Sequence, residues 1–215
     1  MDIKIPYTPR KHQAYLHKQI DKNRWNVLVC HRRFGKTVCM INHLIRSALL
    51  SKLKNPRFAY IAPTFKQAKS IAWDYMKQFT AKIPHTKFNE TELRVGLPNG
   101  AGITLLGSES PDGLRGIYLD GCVIDEYANV NSKLFPEIIR PALSDRKGYC
   151  VFIGTPQGMN NNFYELYQHA QGAEDWFNYK AKASDTKIVD NDELVKAKEV
   201  MGDKKFQQEF ECDWI

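Results

Sequence analysis

What this sequence lacks narrows the possibilities first. In its 215 residues no stretch approaches the ~20 consecutive apolar residues that a membrane-spanning helix needs. The opening residues, MDIKIPYTPRKHQ, contain no apolar core of the kind a secretory leader carries. Five cysteines, at positions 30, 39, 122, 150 and 212, form no CxxC pair and have no histidine at zinc-ligand spacing. Four of them sit in or beside apolar runs, which reads as buried free thiols. An odd number also argues against a closed disulfide framework and for a reducing compartment. Internal repeats and low-complexity tracts are missing. So is any Asn/Thr-Lys-x-Asp segment, the usual reader of guanine.

What is present fits one substantial globular domain with room for a small appended subdomain: 43% hydrophobic and 26% charged residues. Thirty-one basic against 24 acidic residues leave a formal charge of +7, which suits contact with a polyanion without proving it.

Short apolar runs alternate with amphipathic stretches. Trp25–Cys30 reads as a buried strand, followed by a turn and a helix whose apolar face holds Val38, Ile41, Leu44, Ile45, Ala48 and Leu49. Phe58–Ala62 is a second strand, closed by Pro63, with Thr64 placed to cap the next helix. Pro98-Asn99-Gly100 predicts a hairpin turn within residues 93–106. Cys122–Asp125 and Tyr149–Gly154 are further short strands. This alternation implies an α/β fold with a central, mostly parallel sheet, binding ligands beyond the carboxyl ends of its strands. Beyond about Gly158 the charge content rises and no strong buried strand is visible. The expected division is therefore a core over 1–157 and a lid or linker subdomain over 158–215, helical near 161–170 and 191–210.

Two elements, one basic and one acidic, carry the chemistry. Residues 30–37, Cys-His-Arg-Arg-Phe-Gly-Lys-Thr, match the phosphate-binding pattern G-x-x-x-x-G-K-[ST] at Gly35, Lys36 and Thr37, with Cys30 where the first glycine belongs. The run follows a predicted strand and opens a predicted helix, the setting such a loop requires. Gly35 allows close approach of backbone to phosphate, Lys36 would neutralise β and γ oxygens, and Thr37 would hold Mg²⁺. Arg32 and Arg33 could touch phosphate, or fix the loop by pairing with a neighbouring carboxylate. Cys122-Val123-Ile124-Asp125-Glu126 is a strand ending in adjacent carboxylates: Asp125 suits Mg²⁺, and Glu126 suits an attacking water. Upstream, Gln13 could read an adenine edge, with Tyr7 or Arg10 stacking on the base. Thr155 ends the strand after Asp125 and is expected near the γ-phosphate.

Together these elements resemble the ATPase domain of the large terminase subunit, the motor that packages DNA into tailed-phage capsids. The resemblance rests on His31-Arg32-Arg33-Phe34-Gly35-Lys36-Thr37, Asp125-Glu126, Gly154-Thr155-Pro156, the segment ending in Gln13, Ala62-Pro63-Thr64 with Gln67, and residues 206–214. It implies a P-loop NTPase of the ASCE type that uses ATP and Mg²⁺, with Phe34 inside the nucleotide-binding loop. It further implies double-stranded DNA, a portal protein and a small terminase subunit as partners, a pentameric ring on the procapsid, and a place in the host cytoplasm. Arg115, in Leu114-Arg115-Gly116, corresponds to an arginine finger reaching a neighbouring subunit, and Arg32 is a rival for that role in cis. The family's nuclease domain would begin where this sequence stops, so an ATPase without DNA cleavage is expected. DNA-contacting residues are not singled out; Lys66, Lys69, Lys204 and Lys205 could equally be solvated helix faces. A helicase-like translocase and a nucleotide-gated assembly module with little hydrolysis are the competing readings.

Overall fold

A computed structural model describes residues 2–215, and among them eight strands form one sheet in the order β3-β4-β5-β2-β6-β7-β1-β8. The strands are β1 (Trp25–Cys30), β2 (Arg57–Ala62), β3 (Lys87–Asn89), β4 (Arg94–Gly96), β5 (Gly102–Gly107), β6 (Gly121–Asp125), β7 (Tyr149–Gly154) and β8 (Trp176–Ala181). The helices are α1 (Lys11–Lys22), α2 (Lys36–Leu50), α3 (Phe65–Ala68), α4 (Asp74–Thr80), α5 (Arg140–Ala142), α6 (Asn162–Gly172), α7 (Ala183–Thr186), α8 (Asn191–Met201) and α9 (Asp203–Glu209). A π-helical turn, Lys69–Trp73, joins α3 to α4, and another, Leu134–Ile139, leads into α5. Thr64 caps α3 by accepting from the Gln67 amide at 3.1 Å.

In that order every pairing from β5 to β8 is parallel, whereas β3, β4 and β5 pair antiparallel. The parallel centre explains why β1 can be buried along its whole length: helices cover both faces, so a continuous apolar run is satisfied on each side. Side chains of a strand alternate between faces, and here the alternation sorts them into two cores. Leu28, Tyr60, Val123 and Val151 pack with α1, α2 and α4 on one face. Val29, Ile61, Ile124 and Phe152 pack with Leu134, Ile138 and α6 on the other.

The hairpin predicted around Pro98-Asn99-Gly100 is β4–β5, with Gly100 at φ 83°. It is widened by β3, three exposed residues that carry no sequence signal. The larger difference lies beyond residue 157. β8 pairs with β1 over six residues, Trp25 with Trp176 through Cys30 with Ala181. The sequence hides it because its first five residues are only half-buried at the sheet edge and mix Asn178 and Lys180 with aromatics. The main sheet thus reaches residue 181, and the separate small core of Ala183, Leu194, Phe206 and Phe210 belongs to α7–α9 alone.

Candidate active site

The strand order brings three loop-bearing ends side by side, because β7 lies between β1 and β6 and pairs with both. At the end of β1 the chain enters the loop 31–35. Cys30 is ordinary strand backbone with its side chain wholly buried, so nothing there requires the glycine of the common pattern. Gly35 is different. It adopts φ 90°, and a Cβ built on it would lie 2.9 Å from Gln13 Nε2. Arg33 also takes a left-handed φ of 69°, and its side chain is exposed. The Phe34 ring, expected among the nucleotide-binding residues, is fully buried and packs in a T-shaped contact with His31.

Helix α2 begins at Lys36 with no side-chain cap on its N-terminus. Its first amide hydrogens therefore remain available, which makes this end an anion-binding position. Lys36 Nζ lies 3.4 Å from the Cys30 carbonyl, 3.3 Å from the His31 carbonyl and 3.4 Å from Thr155 Oγ1. All three contacts are long, which makes them weak and readily exchanged for an anionic oxygen.

Asp125 ends β6 and Thr155 directly follows β7, both on the face shared with α2, as the alternation of Val123 and Val151 dictates. Asp125 is buried and accepts a short hydrogen bond from the Tyr60 phenol. Tyr60 thus fixes the Asp125 carboxylate from inside the sheet. Burial pushes the Asp125 carboxyl up, against the opposing pull of Tyr60 and Lys36. The next residue, Glu126, sits in the left-handed region at φ 51°, where a side chain costs about 1–2 kcal/mol. Burial also raises its carboxyl, and the adjacent Asp125 charge adds to the effect while Lys36 opposes it. A raised carboxyl is suited to accepting a proton from water.

Among the described residues no group of three or more His, Cys, Asp or Glu side chains could enclose a metal. Thr37 and Asp125 instead offer a hydroxyl and a carboxylate. Such a sparse oxygen set suits Mg²⁺, a hard cation that keeps several waters and shares phosphate ligands.

On one side the loop rests against α1. Gln13 is buried, donates to the Gly35 carbonyl at 3.2 Å and accepts from the Arg10 amide at 2.9 Å. The Arg10 guanidinium approaches Gly35 as well. Tyr7 does not join them. Its hydroxyl meets His17 Nε2 at 2.8 Å and its ring makes T-shaped contacts with His17 and Phe79, which tie it to α1 and α4. His17 Nδ1 meets His43 Nδ1 at 2.8 Å, and His43 Nε2 faces Asp21 at 3.8 Å. One arrangement satisfies every member: Tyr7 donates to His17, His17 to His43, and the remaining His43 N–H faces the Asp21 carboxylate beyond bonding distance. Burial lowers both rings, His17 to about 4 and His43 to about 3, so both are neutral at pH 7.

On the other side the loop meets α7 and α9. His31 is buried, with Nδ1 2.7 Å from the Arg32 carbonyl and Nε2 2.7 Å from Thr186 Oγ1. A carbonyl only accepts, so Nδ1 carries the hydrogen and Nε2 accepts from Thr186. Burial lowers this imidazole too. The Arg32 amide donates to the Glu209 carbonyl at 2.8 Å, and its guanidinium pairs with the Glu209 carboxylate at 3.5 Å. Arg115 lies elsewhere, on the loop between β5 and β6, paired with Asp112 at 2.9 Å and Glu137 at 3.3 Å. Arg32 acts electrostatically on Glu126, favouring its charged form. Lys66, Lys69, Lys204 and Lys205 are all exposed.

The family model for the terminase large subunit, T4likevirus-type, N-terminal, matches residues 29–215. Terminase large subunits of Thermus phage G20c and Thermus virus P23-45 are each 42% identical over 182 residues, covering 76% of this chain. The aligned chain spans only 36% of each of these relatives. The large terminase ATPase domain of Thermus phage P74-26 superposes with a TM-score of 0.82 at 22% identity, over 98% of this chain and 96% of that one. A large terminase from a thermophilic bacteriophage, in complex with ADP, superposes with a TM-score of 0.80 at 14% identity, over 95% of this chain and 53% of that one. At such identities these two superpositions speak for the fold.

Proposed function

Because this chain belongs to the terminase large-subunit family through its N-terminal domain, we propose that it hydrolyses ATP with Mg²⁺ and thereby drives double-stranded viral DNA into a procapsid. The observation that carries this reading is the convergence of Lys36, Thr37, Asp125, Glu126 and Thr155 at the ends of β1, β6 and β7. The structures of the thermophilic-phage large terminase with ADP and with ATP-gamma-S support a nucleotide as the ligand of this fold.

In this reading the α2 N-terminus and Lys36 receive the β and γ phosphates. Thr37 and Asp125 hold Mg²⁺, which when bound neutralises phosphate charge. Glu126 orients water for attack and accepts its proton. Thr155, in contact with Lys36, senses γ-phosphate loss. Arg10 and Gln13 border the base, and Arg33 meets phosphate or solvent. Arg115, exposed and paired with Asp112 and Glu137, serves a neighbouring subunit's nucleotide. A ring of such subunits, five by family resemblance, would dock on a portal protein with a small terminase subunit, in the host cytoplasm. Among the described residues no helix is long and apolar enough to cross a membrane. Phosphate contacts from surface lysines and arginines would hold DNA without reading its sequence.

Steady-state ATP hydrolysis measured against protein concentration tests this. Glu126→Ala is expected to lose about 10²–10⁴ in rate. Arg115→Ala is expected to abolish only the part that climbs with concentration, where a trans finger supplies about 10³–10⁵. Wild-type hydrolysis by Glu126→Ala would sink the mechanism and favour a nucleotide-gated assembly module.

A further inference from the structure

The loop that carries Arg115 is fixed at its base and open at its tip. At the base, Ser108 is buried; its hydroxyl donates to the Pro63 carbonyl at 2.9 Å and accepts from the Asn131 amide at 3.2 Å. Asn131 lies on the segment that leaves Glu126, so this bond ties the loop to the candidate base. At the tip, Arg115 stands between Gly113 and Gly116, and a Cβ built on either glycine would meet nothing within 4 Å. Gly116 takes a left-handed φ of 84°. Backbone so lightly constrained does not aim a side chain by itself. The guanidinium is aimed from outside. Asp112 Oδ1 accepts from Nε and also faces Nη2, each at 2.9 Å. Glu137 Oε2 accepts from Nη2 at 3.3 Å. Both carboxylates thus hold the same edge, and Nη1 has no partner among the described residues.

We propose that Glu137 is a positioning residue for Arg115: with Asp112 it grips Nε and Nη2 and presents the Nη1 edge to a phosphate on a neighbouring subunit. The inference rests on the reading of Arg115 as a finger acting in trans. A guanidinium carries five donors in a rigid plane, so fixing one edge fixes where the other points. A side chain already held in place also loses less freedom when it meets its target. The two carboxylates differ in what holds them. Asp112 belongs to the loop itself, on the short 3₁₀ turn Pro111–Leu114. Glu137 is mounted on the π-helical turn Leu134–Ile139, whose Leu134, Ile138 and Ile139 are buried with Ile124 of β6 and Phe152 of β7. Phe135 of the same turn meets Phe152 with ring centroids 4.7 Å apart. Glu137 is therefore the fixed point. Both carboxylates are exposed, so water screens them and the guanidinium keeps most of its attraction for a phosphate. One continuous segment thus carries Glu126 for its own site and the support of the arginine offered to the next.

The test is ATP hydrolysis at protein concentrations where the wild-type rate per molecule climbs, for Glu137→Ala, Glu137→Gln, Arg115→Ala and the Glu137→Ala, Arg115→Ala double variant. Glu137→Ala is expected to lower kcat about two- to fivefold, the scale of one partly exposed ion pair, with KM for ATP level. Glu137→Gln keeps an acceptor oxygen for Nη2 and should recover part of that loss. On the Arg115→Ala background, removing Glu137 should cost nothing further, because a support has no effect once the supported group is gone. General loosening of the turn would instead lower the rate equally on both backgrounds, and that result would overturn the proposal. A faster Glu137→Ala would also overturn it, since the carboxylates would then withhold the arginine rather than present it. Wild-type kinetics in Glu137→Ala beside a defective Arg115→Ala would do the same, and the finger reading would stand in all three cases. If Arg115→Ala itself kept the wild-type dependence on concentration, the finger reading would fall and the positioning role with it.

Discussion

The same loop is held from two sides by opposite kinds of chemistry. On the α1 side the attachments are neutral and buried: the Gln13 amide on Gly35, backed by the Tyr7–His17–His43 chain between α1 and α2. On the α9 side the side-chain attachment is charged and half-exposed, centred on Glu209 with Arg32 and Lys205, beside the neutral His31 contact to α7 and one backbone bond. A neutral buried network has no competitor in solution and becomes costly once any member is left unpaired. An ion pair at the surface is weak, screened and open to any better anion. The first kind suits a fixed wall for the nucleotide and the second suits a part that must respond to it.

The largest expected effect tests whether the α1 side is held neutral. The unfolded chain binds protons on histidine below its ordinary value of about 6.5, whereas the folded chain resists until about 4 at His17 and about 3 at His43. The unfolded state therefore carries the extra protons in this window. Stability is complete above about pH 6.5 and falls as pH drops toward about 4, by about 3 kcal/mol for a ring shifted as far as His17. Urea unfolding at pH 7, 6 and 5 should give this slope, shallower by about one proton in His43→Gln. Equal slopes in wild type and variant would mean that the pair is not excluded from protonation. The contrast between the two sides would then fail.

A smaller effect separates anchoring from response. Gln13→Ala leaves the Gly35 carbonyl and the Arg10 amide without their partner, and about 1–3 kcal/mol of stability should be lost. Both ADP and the non-hydrolysable ATP analogue AMP-PNP should bind more weakly, because the wall itself has shifted. Glu209→Gln should instead leave the melting temperature nearly level while tightening AMP-PNP binding alone. Melting curves for the two variants would reverse the comparison if Glu209→Gln proved the more damaging.

How much of this can be read from sequence follows from how local each signal is. β1 and β7 are legible to the residue, because buried parallel strands write themselves as unbroken apolar runs. Gly35, Lys36, Thr37, Asp125, Glu126 and Thr155 are legible as candidates, since each sits at a strand end or where the helix after β1 begins. Gln13 and Arg10 are indicated by their place before β1, but the contact with Gly35 depends on how α1 folds back. Tyr60 escapes: inside an apolar strand it reads as core, and only the pairing of β2 with β6 sets its hydroxyl on Asp125. β8 escapes because an edge strand mixes polar and aromatic residues. Glu209 is visible only as part of a matching segment. Its partnership with Arg32 spans 177 positions and no local pattern encodes it.

The smallest effect bears on the charged side alone. Lys205→Ala removes an i,i+4 ion pair from an exposed turn of α9, and stability should change by less than about 0.5 kcal/mol. Its consequence lies in partner choice. Without Lys205, Arg32 becomes the sole cation on a carboxylate whose side chain is 10% exposed, and giving it up to a phosphate would strand that charge. AMP-PNP should therefore bind this variant more weakly than the wild type, the reverse of Glu209→Gln. Raising salt from about 0.01 M to about 1 M shortens the screening length from about 30 Å to about 3 Å and should shrink the difference. The Gln13→Ala defect, which involves no charge, should persist at both salt concentrations. Wild-type affinity in Lys205→Ala at low salt would show that Glu209 does not arbitrate between the two cations, and the α9 side would then be a second fixed wall.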